Sequence, residues 1–333
     1  MTKSMVLVMG SMLLGFACSA GGTSNPTQFT GGSGGSSASG GSAAGGTGAL
    51  GAFGGAGGFI GTEGGNTPSC EFVDILFLID DSPSMRTPQK KLATQWPAFV
   101  DAMFDKLPPN VNLHVGMVTT GFFTGSCSET TTNCRTGQTP QEVDDHFIRP
   151  SEGNTMENGG QGRLYQYQGK TFFEANSSDT DRAPLKTWFA GAATEAGDTG
   201  CSYEFSSAGV AYTTDPANAQ NNAGFYRDKD GVLVLIFLTD EPDKSFEGAQ
   251  TYHDMMTRVK AGCGGDNCIL TAGLITPCVQ STNQELWQFM SSFGKPPIAI
   301  GDIDGLATEY SKVVGDALAQ VVRQTCDSIA VPH

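Results

Sequence analysis

Phe72-Val-Asp-Ile-Leu-Phe-Leu-Ile79, followed at once by Asp80-Asp81-Ser82-Pro83-Ser84, is the stretch on which the reading of this chain turns. The run is apolar at nearly every position and lacks the alternation of a half-exposed strand, so it predicts a strand buried on both faces. It ends abruptly on acids and hydroxyls. A second run, Val232-Leu-Val-Leu-Ile-Phe-Leu238, behaves in the same way and leads into Thr239-Asp240. Behind the first, Thr87-Pro88 predicts a helix start, an N-cap followed by proline at the first helical position. Leu92, Trp96, Phe99, Val100, Met103 and Leu107 follow at helical spacing, with a kink expected at Pro97.

The remaining pattern is weaker. Residues 112–120 (NLHVGMVTT) predict a second strand, 164–175 a hairpin or edge strand, and Leu185, Trp188, Phe189 and Ala192 a helix. Residues 269–276 predict another strand, 286–293 a short helix, 298–303 a marginal strand, and the apolar positions from Leu306 to Val321 a closing helix. Residues 121–160 are turn-rich and carry no clear element. Buried strands alternating with helices define an α/β, doubly wound, mostly parallel sheet with helices on both faces, a Rossmann-like arrangement.

The start of the chain reads differently. Lys3 and the apolar residues 5–16 form an export leader too short to span a bilayer. Leu14-Gly15-Phe16-Ala17-Cys18 resembles the lipobox of bacterial lipoproteins, with Gly15 standing where that family carries a branched apolar residue. The resemblance implies cleavage before Cys18 and its acylation; plain secretory cleavage is the alternative, and either route exports the protein. Ser19 after the cysteine suits an outer-membrane or cell-surface lipoprotein, with a periplasmic or secreted form as the alternative. Residues 19–69 are Gly, Ser, Ala and Thr with scattered apolar positions, a composition that cannot offset its ordering entropy. They predict a flexible tether with a reach of roughly 40 Å. The folded domain is expected over 70–333.

Setting Cys18 apart leaves an even set: Cys70, Cys127, Cys134, Cys201, Cys263, Cys268, Cys278 and Cys326. In an oxidising compartment such a set predicts disulfides whose full connectivity is not deducible. Two short loops suggest Cys127 with Cys134 and Cys263 with Cys268, and Cys70 and Cys326 bracket the domain as a third pair. Zinc at Cys263 and Cys268 would need a second ligand pair, which the sequence does not offer. A net charge of −15 and a pI near 4.5 argue against a nucleic-acid partner.

In open α/β sheets, ligands bind at the carboxyl ends of the strands. Asp80, Ser82 and Ser84 form a D-x-S-x-S pattern at one such end, and Asp240 stands at another. A carboxylate and two hydroxyls on alternate residues suit a small hard cation, Mg²⁺ first, with Mn²⁺ or Ca²⁺ as alternatives. ILFLIDDSPSM followed by VLIFLTDEPDKS resembles the metal-ion-dependent adhesion site of von Willebrand factor A domains. That resemblance implies direct ligation by Ser82 and Ser84, with Asp80 and Asp240 acting mostly through water. It also implies an acidic side chain from a protein partner completing the sphere. The family's remaining ligand is a threonine in a loop before a helix, for which Thr199 is the candidate and Thr194 the reserve. Asp81 and Pro83 depart from the family, which often has glycines there.

Other acidic pairs, Asp228 with Asp230 and Asp302 with Asp304, read as turns. Glu241 and Asp243 read as solvated loop charges, with a second calcium as the sharper alternative. His114, His146, His253 and His333 form no catalytic or metal-binding pattern, and His114 reads as a satisfied core residue. No enzyme is expected. The leading expectation is an exported, lipid-anchored, metal-dependent binding or adhesion module touching the membrane only through its anchor. The alternatives are a structural envelope lipoprotein with a degenerate site and a metal-assisted hydrolase.

Overall fold

The computed structural model describes residues 70–122, 147–155, 157–201, 203–297, 299–306, 310–312 and 315. Several expectations lie outside these residues: the leader with Cys18, the tether, Cys127, Cys134, Cys326, and the closing helix beyond residue 315. Among the described residues no helix is long and apolar enough to cross a membrane.

Six strands form one sheet: β1 (Phe72–Ile79), β2 (Asn112–Thr119), β3 (Phe172–Asn176), β4 (Gly231–Thr239), β5 (Ile269–Ile275) and β6 (Ala299–Gly301). Their order is β3-β2-β1-β4-β5-β6, every neighbouring pair parallel except β3, which runs antiparallel to β2 at one edge. The fold is therefore the expected α/β class. The chain leaves β1 toward β2 on one side and returns to pair β4 on the other. The switch point thus falls between β1 and β4, where a crevice opens at the carboxyl edge.

The apolar runs are explained by cover on both faces. Val73, Ile75, Phe77 and Ile79 point into a core shared with Trp96, Phe99 and Phe189 of α1 (Arg86–Lys106) and α2 (Ala183–Ala196). Leu76 and Leu78 face the other core, with Phe205 and with Tyr252 and Phe289 from the helices of that side. Those helices are α3 (Ser206–Ala211), α4 (Ala249–Arg258) and α5 (Glu285–Ser291). Full burial of each large apolar side chain contributes about 1.5–3 kcal/mol.

Local structure departs from the sequence pattern at the start of the first helix and ahead of α3. The first helix begins before Thr87: a 3₁₀ turn over Pro83–Met85 runs directly into α1. Pro88 still falls in the first turn, where its missing N–H has no helical acceptor to lose. The helix continues through Pro97, which lies on its exposed face, where water can bond the carbonyl that proline leaves free. Thr199 does not cap the following helix, since α3 begins at Ser206 with Phe205 at its N-cap position. Helix α4 had no counterpart in the sequence reading. The segment 164–175 resolves into the edge strand β3 preceded by a turn closed by the Tyr167–Lys170 bridge.

Cys263 and Cys268 form a disulfide with an S–S distance of 2.01 Å, so these thiols are not zinc ligands. Cys70, Cys201 and Cys278 are disulfide-bonded as well. At the amino edge of the sheet, Asp74 is wholly buried and binds Arg227 Nε at 2.6 Å and Lys260 Nζ at 3.1 Å. His114 is a buried β2 residue whose Nδ1 lies 2.8 Å from the Phe225 carbonyl oxygen, as a satisfied core histidine should.

Candidate functional site

The ends of β1 and β4 lie side by side because the two strands pair in register, Ile79 opposite Leu238. The Asp80 N–H extends that ladder by donating to Leu238 O at 3.0 Å. The Asp80 carboxylate is sealed beneath the loop: Oδ1 accepts from Ser82 N–H at 2.9 Å and Oδ2 from the Thr239 hydroxyl at 2.7 Å. Both carboxyl oxygens thus fix the loop that follows β1 against the end of β4. Ser82 is extended, whereas Ser84 lies in the 3₁₀ turn begun by Pro83, so simple alternation does not describe the loop. The hydroxyls nevertheless meet. Ser82 Oγ lies 2.7 Å from Ser84 Oγ, and Ser84 Oγ donates to Asp240 Oδ1 at 2.9 Å.

These distances allow a fit test for a cation. Adjacent ligands of an octahedral ion with bonds of about 2.0–2.1 Å are themselves about 2.9 Å apart. The Ser82–Ser84 and Ser84–Asp240 separations are of that size, so the oxygens already have the spacing of neighbouring ligands. Ser84 is exposed and Asp240 half-buried, leaving this side of the cluster open to an incoming group. The donor set is oxygen only, as a hard cation requires. Among the described residues no group of three or more His, Cys, Asp or Glu side chains is disposed to hold a metal. Any cation here therefore depends on the serines.

Thr199 lies in the loop between α2 and Cys201, joined to the site through the backbone: Gly200 N–H donates to Asp81 O at 2.8 Å. Its side chain is exposed on the rim of a cleft of about 690 Å³ that also borders Asp81, Pro83 and Glu157. Among the described residues its hydroxyl has no hydrogen bond to Ser82, Ser84 or Asp240. Thr194 is placed elsewhere, on the last turns of α2, where its hydroxyl donates to Ala190 O at 2.7 Å.

The surroundings are more acidic than the sequence pattern indicated. Asp81 is buried and accepts from the Thr120 hydroxyl at 3.1 Å. Burial, followed by the adjacent Glu157 and then Asp80, pushes its pKa well above the usual carboxylate range. Burial raises Asp80 as well. Asp240 is pushed up to about 6 by burial and by Asp80. Glu241 is pushed up to about 7 by burial, against the pull of Lys244, whose Nζ sits 3.2 Å from its carboxylate.

Glu241 and Asp243 are therefore not solvated loop charges. Asp243 is buried and accepts from Ser207 N–H at 2.9 Å and Ser245 N–H at 3.0 Å, folding the loop after β4 onto the start of α3. Asp302 accepts from Asp304 N–H at 2.9 Å, as in a turn, whereas Asp228 accepts from Gly262 N–H at 2.7 Å and so ties its loop to a segment distant in sequence. Sequence reasoning missed Glu157 and Glu204 altogether. Neither stands at a strand end nor belongs to a short motif, so only burial and packing reveal them.

No family signature matches the chain, and no curated protein matches it. Solved structures similar in fold include proximal thread matrix protein 1 from the mussel byssus, at 14% identity and a TM-score of 0.37. They also include the pilus adhesin SpaC from Lactobacillus rhamnosus GG, at 12% and 0.38, and a von Willebrand factor type A protein from Catenulispora acidiphila, at 13% and 0.34. Each comparison covers 78% of this chain, which spans only 47%, 31% and 43% of those chains respectively. The fold class rests on the strand order above, and nothing about ligands or partners carries over at these values.

Proposed function

We propose that Asp80, Ser82, Ser84 and Asp240 hold a divalent cation, Mg²⁺ first with Mn²⁺ or Ca²⁺ as alternatives, and that the protein is a binding module built around it. In this reading the serine hydroxyls are direct ligands and the two aspartates act mostly through bound water. A carboxylate from a protein partner completes the sphere on the open side at Ser84. The cation supplies positive charge at a surface whose own groups are acidic, so an acidic partner can dock where Coulomb repulsion would otherwise oppose it. In this reading residues 1–18 serve as an export leader, and the segment 19–69 tethers the module to a lipid anchor outside the cytoplasm. No general base or second metal is assigned, and no turnover is proposed.

The observation that carries the reading is the convergence of hydroxyls from the β1 loop with a carboxylate from the β4 loop, at 2.7 and 2.9 Å. The imbalance of charge supports it. At the amino edge of the sheet Asp74 is paired with Arg227 and Lys260, whereas among the described residues Asp80 and Asp81 have no ion pair. Buried charges are normally paired or bound to metal.

The test is thermal unfolding of the intact oxidised protein with Mg²⁺, Mn²⁺, Ca²⁺ or EDTA, beside Asp240→Ala. An ion at a hundred times its dissociation constant stabilises by roughly 2.7 kcal/mol. The expected result is a rise in midpoint for the wild type with at least one ion and none for the variant. No rise with any ion would overturn the reading.

A further inference from the structure

Glu204 precedes α3 and is pinned from the opposite side of the crevice, where Lys244 N–H donates to its carbonyl oxygen at 2.7 Å. Its side chain is 0% exposed, and neither carboxyl oxygen has a hydrogen-bond partner. The groups around it offer no compensation. Asp80, Asp81 and Glu241 face it with carboxylates. The nearby Thr120 hydroxyl has one proton and donates it to Asp81 Oδ1 at 3.1 Å. A buried carboxyl whose only polar neighbours are a hydroxyl already committed to Asp81 and other carboxyls, Asp80 among them, is a costly arrangement for a fold to hold. A hard cation compensates it directly, because the ion needs the same oxygen lone pairs that the protein leaves unused.

We infer that Glu204 is a direct ligand of the cation held at Ser82 and Ser84, in the position that the family resemblance gives to a threonine. The inference rests on the cation reading above and adds the one protein carboxylate in the inner sphere. Of the neighbouring acids, Asp80 uses both oxygens on Ser82 N–H and the Thr239 hydroxyl, and Asp240 uses Oδ1 on the Ser84 hydroxyl. Such carboxylates can still hold waters, whereas both oxygens of Glu204 are available to the ion itself. One direct carboxylate with two hydroxyls agrees with the lack, among the described residues, of a three-carboxylate metal cluster. It also leaves Thr199 free to remain on the exposed rim. A carboxylate in place of a hydroxyl lowers the net charge of the filled site by one. The cation is then retained without a partner, and an acidic partner gains less from it than from a threonine-liganded ion.

The test is Mn²⁺ binding, followed by the electron paramagnetic resonance of the free ion, on the intact oxidised wild type and on Asp240→Ala, Glu204→Gln and Thr199→Ala. Metal-free thermal midpoints are recorded for each. Glu204→Gln should weaken Mn²⁺ binding by more than about a hundredfold, beyond the roughly 10–100-fold that loss of mere outer-sphere support costs other sites. Its metal-free midpoint should not fall below that of the wild type, which shows that the variant folds, while Thr199→Ala binds as wild type does. Glu204→Leu provides a second variant with the same two expectations should the amide fold poorly. Loss of Mn²⁺ in Asp240→Ala but wild-type binding in both Glu204 variants would overturn the role of Glu204 and leave the cation reading intact. Equal loss in Thr199→Ala with none in Glu204→Gln would return the position to the threonine. A wild type that binds no Mn²⁺ and shows no rise in midpoint with Mg²⁺ or Ca²⁺ would overturn both readings.

Discussion

Asp74 lies within β1 and Asp80 immediately after it; both are wholly buried, and their surroundings differ in kind. Arg227 and Lys260 both close on Asp74, so removing Asp74 would leave two cations without their counter-charge, Lys260 fully buried among them. Asp80 has only neutral donors, a backbone N–H and a hydroxyl, and like-charged neighbours. A third acid shows the same physics away from the candidate site. Glu285, at the start of α5, has one carboxyl oxygen buried without a partner. Burial, then the nearby Asp243, pushes its pKa from 4.5 up to about 7. The native state therefore keeps this proton at pH values where the unfolded chain has lost it. Stability should fall as pH rises from about 4.5 to 7, with the whole penalty present above 7. Glu285→Gln should raise the urea midpoint near pH 8 and leave it unchanged near pH 4. An equal effect at both pH values would show that the carboxylate charge is not the cause.

Helix α3 shows what a single residue does for an element. It has six residues, all buried, and it sits directly on the carboxyl ends of β1 and β2. A Cβ at Gly209 would lie 2.7 Å from Leu78 Cδ1 and 2.9 Å from Thr119 O, the latter a backbone atom that cannot move aside without shifting β2. Gly209→Val should therefore destabilise by about 1–3 kcal/mol in urea unfolding, as overpacked cores do. A change near zero would show that the helix can lift without cost. The legibility of the elements follows from their burial. Strands β1 and β4 were readable from sequence to within a residue because both faces are covered and nearly every position is apolar, Asp74 with its two cations being the exception. Helix α1 was readable as an apolar stripe, though its start was displaced by the 3₁₀ turn at Pro83. Helix α4 left little trace because it buries only Tyr252 and Met256, one pair a turn apart on an otherwise polar segment. Helix α3 was expected only as the helix that follows Thr199; buried all round, it has no polar face to mark where it starts.

At the scale of the molecule, the cysteines give a direct test of covalent state. All five described cysteines are in disulfides. Alkylation of the unfolded, unreduced protein should therefore label none of Cys70, Cys201, Cys263, Cys268 or Cys278, and labelling at any would contradict that state. The Cys263–Cys268 loop is short, so replacing both residues by serine should cost only about 2 kcal/mol on the chain-entropy account. A much larger loss would mean that the bridge also holds the end of β5 in place. The sequence by itself determined the α/β class, the two central strands and the residues delivered at their ends, Asp80, Ser82, Ser84 and Asp240. Those follow from local rules: a strand buried on both faces must be apolar nearly throughout, and the residue after it must emerge at the carboxyl edge. Only the tertiary structure decided that Thr199 stays on the rim while Glu204 is sealed inside without a partner. Burial of a polar side chain depends on which distant segments close over it, and no local spacing records that.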